Sequence, residues 1–324
     1  MGVRVGLIGT GYAAKVRAES FLENAQSDVV RVAGRNFARA EAFAMGYDLT
    51  VADSWQALVR AADVDVVVIS TVSGLHGEMA EAALNAGKHV VVEYPLSLDV
   101  VQADRLVMMA EEKGLMLHVE HIELLGGLHL AMRSHLPSIG TPLYINYRTL
   151  NPQHPAPKKW TYHQALSGFP FCNALSRVNR LTSLFGEVCA VDCCLRMRLD
   201  EQDDNYFRSI LSSGRLQFAK GAVAELTYGK GEDLWAYRRE VEIQGSMGAI
   251  AFNRNEGILT TAKGEQKIAV APRKGLFAQD TQNVLAHLIE GEPLYVAASE
   301  SLYALKVGDA MRRASESGQT VRLA

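Results

Sequence analysis

Six residues, Gly9-Thr10-Gly11-Tyr12-Ala13-Ala14, stand between an apolar run of strand length and a helical pattern. Their spacing, G-x-G-x-x-G/A, suits a dinucleotide, and strand–turn–helix is the setting it needs. Gly9 permits the tight turn. Gly11 lets the backbone approach a pyrophosphate. Ala14 is small enough for the helix to pack on the strand, and Tyr12 and Ala13 open that helix. A helix N-terminus offers unpaired N–H groups and a partial positive charge to phosphates. The competing reading is a glycine turn that is only structural. The strand before the turn and the βαβ rhythm after it argue for the dinucleotide.

The second strand ends in Val32-Ala33-Gly34-Arg35-Asn36. An NAD site usually places Asp or Glu there to bond the ribose 2′-hydroxyl. No carboxylate is present. Arg35 could instead pair with a 2′-phosphate, with Asn36 adding a donor. NADPH is therefore expected over NADH, unless Arg35 is only a solvated charge at a helix start.

The elements that must hold these residues follow from the pattern. Apolar runs at Arg4–Ile8, Val29–Ala33, Asp65–Ser70, His89–Glu93 and Met116–Glu120 alternate with helical stretches at Lys15–Asn24, Phe37–Met45, Gly77–Ala86 and Val101–Glu112. Near-continuous Val/Ile strands between helices predict a parallel sheet covered on both faces. The second half predicts short strands joined by turns such as Ser213-Gly214, Lys220-Gly221 and Lys263-Gly264, hence an antiparallel sheet. Two helical patterns, Gln279–Glu290 and Glu300–Ser315, close the chain. The expected fold class is α/β. A Rossmann dinucleotide domain over 1–122 precedes an α+β domain over 123–324 with a large, open, mostly antiparallel sheet. The last helix is free to pack back on the first domain.

Composition narrows the function classes. The 324 residues are 48% hydrophobic and 21% charged, values of a globular protein. A net charge of −3 weighs against a general nucleic-acid binder. No apolar run approaches a membrane span. The immediate entry into a strand leaves no room for a signal peptide, and a cytoplasmic location is expected. Of the four cysteines, Cys189, Cys193 and Cys194 lie on one strand-like stretch, where neighbours point to opposite faces. Buried thiols are expected there rather than a metal or redox site.

Three stretches carry a family resemblance: Leu75-His76, Gly87-Lys88-His89-Val90-Val91-Val92-Glu93-Tyr94-Pro95-Leu96, and Arg239 to Ile250. The chain resembles the Gfo/Idh/MocA oxidoreductases along nearly its whole length. The resemblance implies a Rossmann domain followed by an α+β domain. It places Thr71, Val72, His76, Glu93 and Tyr94 beside the cofactor. Two departures stand out. Sugar dehydrogenases of the family carry Glu-Lys-Pro, where this chain has Glu93-Tyr94-Pro95. They also carry an Asp and, four residues later, a His. Here the stretch Gly168 to Asn179 has neither, with Cys172 or Asn173 near the first position and Ser176 or Arg177 near the second. A sugar dehydrogenase needs a base to take the hydroxyl proton.

The family's bilin-reducing branch carries these replacements, and the likeness is greatest to its cyanobacterial members. The features include Leu117 to Gly127, His154-Pro155-Ala156-Pro157, Leu175-Ser176-Arg177 and Gly275-Leu276-Phe277-Ala278-Gln279-Asp280-Thr281. The resemblance implies NADPH-dependent reduction of the C10 methine bridge of biliverdin IXα. That substrate is a planar dianion with no carbinol to deprotonate, so the missing base set is dispensable. Arg177 would hold a propionate, or bond the lactam region and relay a proton through water; otherwise it is a surface salt bridge. Tyr94 would donate a proton or merely wall the site. His121 and Glu123, two apart on a strand, would share a face, and the carboxylate would raise the imidazole's pKa. Lys158, Trp160 and His163 would contact substrate, or form a solvated loop anchored by a buried Trp. No metal is expected. A homodimer through the C-terminal sheet is possible. Two rivals stay open: a sugar or imine oxidoreductase, and a non-catalytic NADP sensor.

Overall fold

The computed structural model describes residues 2–323. It divides into two compact units: the chain up to Ile122 together with Gly275–Leu302, and Glu123–Lys274 together with the chain from Tyr303 on.

The first unit alternates β1 (Val3–Ile8), α1 (Tyr12–Leu22), β2 (Ser27–Ala33), α2 (Phe37–Met45), β3 (Thr50–Val51), α3 (Trp55–Arg60), β4 (Val66–Ile69), α4 (His76–Asn85), β5 (His89–Glu93), α5 (Val100–Lys113) and β6 (Leu117–Glu120). The strands pair in parallel in the order β3-β2-β1-β4-β5-β6. Every β4 side chain is at most 1% exposed, because helices cover both faces and a Val/Ile run has no polar side to offer. Asn36, Ser54 and Asp99 cap α2, α3 and α5 by accepting backbone N–H bonds, and Gly114 closes α5 at φ 61°. The two-residue β3 and six-residue α3 are too short for a periodic pattern to reveal.

The second unit begins with α6 (Gly127–His135), β7 (Pro142–Pro152), α7 (Gln164–Ser167), α8 (Pro170–Asn173) and α9 (Leu175–Phe185). Then come β8 (Val188–Leu199), β9 (Phe207–Phe218), β10 (Val223–Gly231), β11 (Arg238–Gly245), β12 (Gly248–Asn253), β13 (Glu256–Thr261) and β14 (Gly264–Ala269). After α10 (Leu276–Glu290) and α11 (Ala298–Ser317), a short β15 (Val321–Arg322) completes a nine-stranded sheet. Its order is β14-β13-β12-β11-β7-β10-β9-β8-β15, and all pairs are antiparallel except β7 with β10.

Two expectations are corrected. Ser213-Gly214 is not a turn but the middle of β9, with Gly214 opposite Cys193 on one side and Leu226 on the other. The glycine is there for close approach, since a Cβ would overlap the Met311 side chain. The division between units is also not a single cut: Gly275–Leu302, which holds α10 and the first turn of α11, groups with the first unit. Burial explains it: Val284 and Leu285 of α10 are fully buried in one cluster with Val5, Leu7 and Phe21.

Gly9 holds φ 130°, and a Cβ would run into the Ser70 carbonyl oxygen. Gly9→Ala is expected to cost about 1–3 kcal/mol of unfolding free energy in urea titrations.

Candidate functional site

The carboxyl ends of the parallel strands gather the residues expected at a cofactor, in the first unit. Gly11 precedes α1 without any side-chain cap, and no acid stands in the first turn. A Cβ on Gly11 would meet nothing within 4 Å. The helix end is therefore open and unopposed by negative charge, which fits a pyrophosphate. Tyr12 beside it is 79% exposed, Ala13 half-buried. At the end of β2, Arg35 is exposed and makes no ion pair or hydrogen bond among the described residues. The Asn36 side-chain oxygen accepts from the Arg39 amide at 3.0 Å.

Thr71 and Val72 follow β4, and Glu93 and Tyr94 close β5 and lead into the cis Tyr94–Pro95 bond. His76 ties these two strand ends together. It is buried, with Nδ1 2.8 Å from the Pro95 carbonyl oxygen and Nε2 3.4 Å from that of Thr71. Burial pushes its pKa down, so the ring is neutral and shapes the loops. Tyr94 stacks on His121, ring centres 5.3 Å apart and planes within 6°.

Behind these residues lies a buried polar cluster whose key members, Arg17 and Asp280, sequence reasoning missed. Arg17 donates to Glu93 Oε1 at 3.0 Å and to the Asp280 carboxylate. Asp280 also accepts from the Tyr295 hydroxyl at 2.6 Å and lies 2.8 Å from His118 Nε2. Burial would raise Asp280, but Arg17 and His118 hold it far below the usual carboxylate range. Glu120 goes the other way. Burial and the neighbouring Glu93 push it well above that range, and it is hydrogen-bonded to Glu93. A signal did exist: Arg17 shares a helix face with Ala14, Ala18 and Phe21, where a cation must have a buried partner.

The expected His121–Glu123 pair is not what the structure builds. The strand ends at Glu120 and a 3-10 turn takes over Ile122–Leu124, so period-two alternation no longer applies. His121 Nε2 sits 2.8 Å from Ser301 Oγ. Its pKa is lowered to about 3 by burial and by His118, not raised. Glu123 belongs to the second unit, bonded to Arg180 at 3.0 Å and Arg273 at 2.5 Å, with Arg239 at 3.9 Å. Burial pushes its carboxyl up, but the guanidiniums of Arg180, Arg273, Arg177 and Arg239 together hold it down.

In the second unit three cations each lie against an aromatic ring on one face of the sheet. Arg180 is 5.9 Å from the Tyr147 ring centre and Arg177 5.2 Å from that of Tyr228. Lys230 is 4.7 Å from Tyr162 and 5.1 Å from Phe207. Arg177 also reaches Ser176 Oγ at 3.2 Å and Thr149 Oγ1 at 3.5 Å. Cys172 is buried, and burial raises its thiol to about 12, so it offers no base. In the 158–163 loop the buried anchor is Tyr162, 3% exposed, not Trp160. Lys158 lies 3.6 Å from Asp200, and the His163 ring packs edge-on against Tyr206. Lys230, unmarked in the sequence, donates to the Thr161 carbonyl beneath that loop. No helix of the described residues is long and apolar enough to cross a membrane.

Known proteins match the chain in both units. The oxidoreductase family model with an NAD-binding Rossmann fold matches residues 3–121, and the model of that family's C-terminal alpha/beta domain matches residues 137–323. The chain is similar to biliverdin reductase from Synechocystis sp. PCC 6803, solved with biliverdin and NADP+. The TM-score is 0.94 at 46% identity, covering 97% of this chain and 99% of that one. It is 27% identical to a dTDP-3,4-didehydro-2,6-dideoxy-alpha-D-glucose 3-reductase of Actinomadura kijaniata, over 96% of this chain and 95% of that protein. Human biliverdin reductase A is 35% identical over 140 residues, 43% of this chain and 44% of that protein.

Two measurements test the geometry. Gly11→Ala should fold as the wild type does, yet bind NADP+ at least about tenfold more weakly by calorimetry, because the methyl group occupies the pyrophosphate's approach. Burial, Lys159 and Arg177 lower Lys230 to about 7. Above that pH the unfolded chain holds a proton that the folded chain does not, so this group makes stability rise with pH; below it both hold the proton and the buried charge costs most. Lys230→Met should therefore stabilise the protein more near pH 6.5 than near pH 9.5, read from urea midpoints.

Proposed function

The chain belongs to the Gfo/Idh/MocA oxidoreductase family and is an NAD(P)-dependent oxidoreductase; from that premise we propose that it reduces the C10 methine bridge of biliverdin IXα to give bilirubin, using NADPH. One observation carries the reading. A whole-chain relative at 46% identity is an enzyme that holds biliverdin and NADP+, and the residues here suit that substrate. Tyr94 stands where the family's sugar dehydrogenases keep a lysine. The stretch Gly168 to Asn179 offers Arg177 and no Asp or His.

NADPH, when bound, supplies the hydride. The chain's own residues hold and orient. Gly9, Gly11, Tyr12 and Ala13 receive the pyrophosphate, and Arg35 with Asn36 receives the 2′-phosphate, whose charge an acid would repel. Thr71, Val72, His76 and Glu93 frame the nicotinamide end. Arg177 takes a propionate or passes a proton through water, because a guanidinium is too weak an acid to donate directly. Its place on the Tyr228 ring leaves the guanidinium half-buried, where a charge-assisted bond to a carboxylate is strong. Tyr94, backed by the His121 ring, presents a flat wall to a flat pigment. Lys158, 3.6 Å from Asp200, with Trp160 and His163 supplies the remaining substrate contacts of this reading. The open face of the nine-stranded sheet is a surface on which a second copy could pair, and four free thiols suit the cytoplasm.

A second reading, a deoxysugar reductase, draws on the 27% whole-chain similarity to the Actinomadura enzyme. Mixing protein, NADPH and biliverdin decides: green turning yellow supports the proposal. NADPH consumption only with keto-sugars supports the second reading, and binding without consumption a sensor. Arg177→Ala should lower kcat/KM for biliverdin about 100-fold. Arg35→Ala should raise KM for NADPH about tenfold and leave that for NADH unchanged.

A further inference from the structure

Arg17 is fully buried on the inner face of α1. A guanidinium there is tolerated only if its charge is balanced and its N–H groups are held. Nε goes to Glu93 at 3.0 Å and Nη1 to Asp280, while the guanidinium carbon lies 4.9 Å from the centre of the Phe277 ring. Nη2 has no protein partner among the described residues. Phe277 and Asp280 both come from Gly275–Thr281, a segment marked in the sequence that the proposed reaction leaves unused. Asp280 is itself fixed, by His118 at 2.8 Å and the Tyr295 hydroxyl at 2.6 Å.

Arg17 is thus a fork between one immovable carboxylate and one at the site. Glu93 is the last residue of β5, adjoins Tyr94, and keeps 18% of its side chain exposed. We propose that Asp280 and Phe277, acting through the Arg17 fork, are positioning residues for Glu93, so that its carboxylate receives the donors of the cofactor's nicotinamide half. This rests on Glu93 being a cofactor contact; it does not depend on the identity of the organic substrate. Glu120 borders the same carboxylate: it is buried and hydrogen-bonded to Glu93, so Glu93 is contacted on a second side. A carboxylate held from two sides has little rotamer freedom left to lose when the nicotinamide arrives. The return of α10 to the first unit then has a functional consequence, because it carries the fixed end of the fork.

Arg17→Lys tests this. Lysine keeps the buried charge and can pair with one carboxylate, but as a point charge it cannot span both. The probes are NADP+ and adenosine 2′,5′-bisphosphate, which lacks the whole nicotinamide half, titrated by calorimetry. The expected result is a Kd for NADP+ raised about fivefold or more, a Kd for the truncated nucleotide within about twofold of wild type, and an added loss near zero when Glu93→Gln is combined with Arg17→Lys. Equal weakening of both nucleotides, unchanged NADP+ binding, or additive losses would overturn the proposal. Phe277→Leu provides a second variant with the ion pair intact, and the same selective weakening is expected at smaller amplitude. A wild-type protein that binds NADP+ but never reduces biliverdin would refute the substrate assignment and leave this test standing.

Discussion

A guanidinium sealed from water organises the first unit. Arg17 cannot be solvated, so carboxylates must reach it from two directions. One arrives from the end of β5, the other from a helix far along the chain. An unpaired buried charge is costly, and loss of either acid would leave the guanidinium with a single counter-charge in a low-dielectric interior. Helix α1 also carries the glycine turn at its start, so one rigid element presents an open N-terminus at one end and holds the strand-end carboxylate along its side.

The two units handle negative charge by different physics. The first uses backbone: an uncapped helix start, no acid nearby, and a single exposed arginine at the end of β2. Such a site makes few demands on side chains, and glycine is its main requirement. The second uses side chains. Arg180, Arg177 and Lys230 lie on aromatic faces, with Glu123 as the counter-charge that several guanidiniums share. Aromatic rings attract cations without neutralising them, so the row stays positive and can take an anionic ligand. Lys230 is buried in the same row, and burial together with its cationic neighbours brings its proton loss toward neutrality.

The local grammar was legible. Period-two and period-3.6 patterns, glycine at helix ends and the G-x-G-x-x-A spacing each report chemistry confined to a few neighbouring residues. The parallel sheet, the mostly antiparallel sheet and the strand-end positions of Thr71, Glu93 and Tyr94 followed from them. Errors arose where a residue answered to a distant partner. Gly214 looked like a turn because its reason for lacking a side chain, Met311, is on another element. His121 and Glu123 looked like a pair because a strand was assumed to continue past Glu120. Trp160 looked like the loop's anchor, yet Tyr162 sits over the buried Lys230.

The order of amino acids determined the glycine turn, the absence of an acid at the end of β2, Tyr94 before Pro95, and a stretch from Gly168 to Asn179 without Asp or His. These need only backbone stereochemistry and side-chain identity. Folding in three dimensions decided which ionisable groups meet: Arg17 with Asp280, Glu120 with Glu93, Glu123 with its arginines. Electrostatic energy depends on separation and burial, and residues 263 positions apart, as Arg17 and Asp280 are, become neighbours only after the core has excluded water.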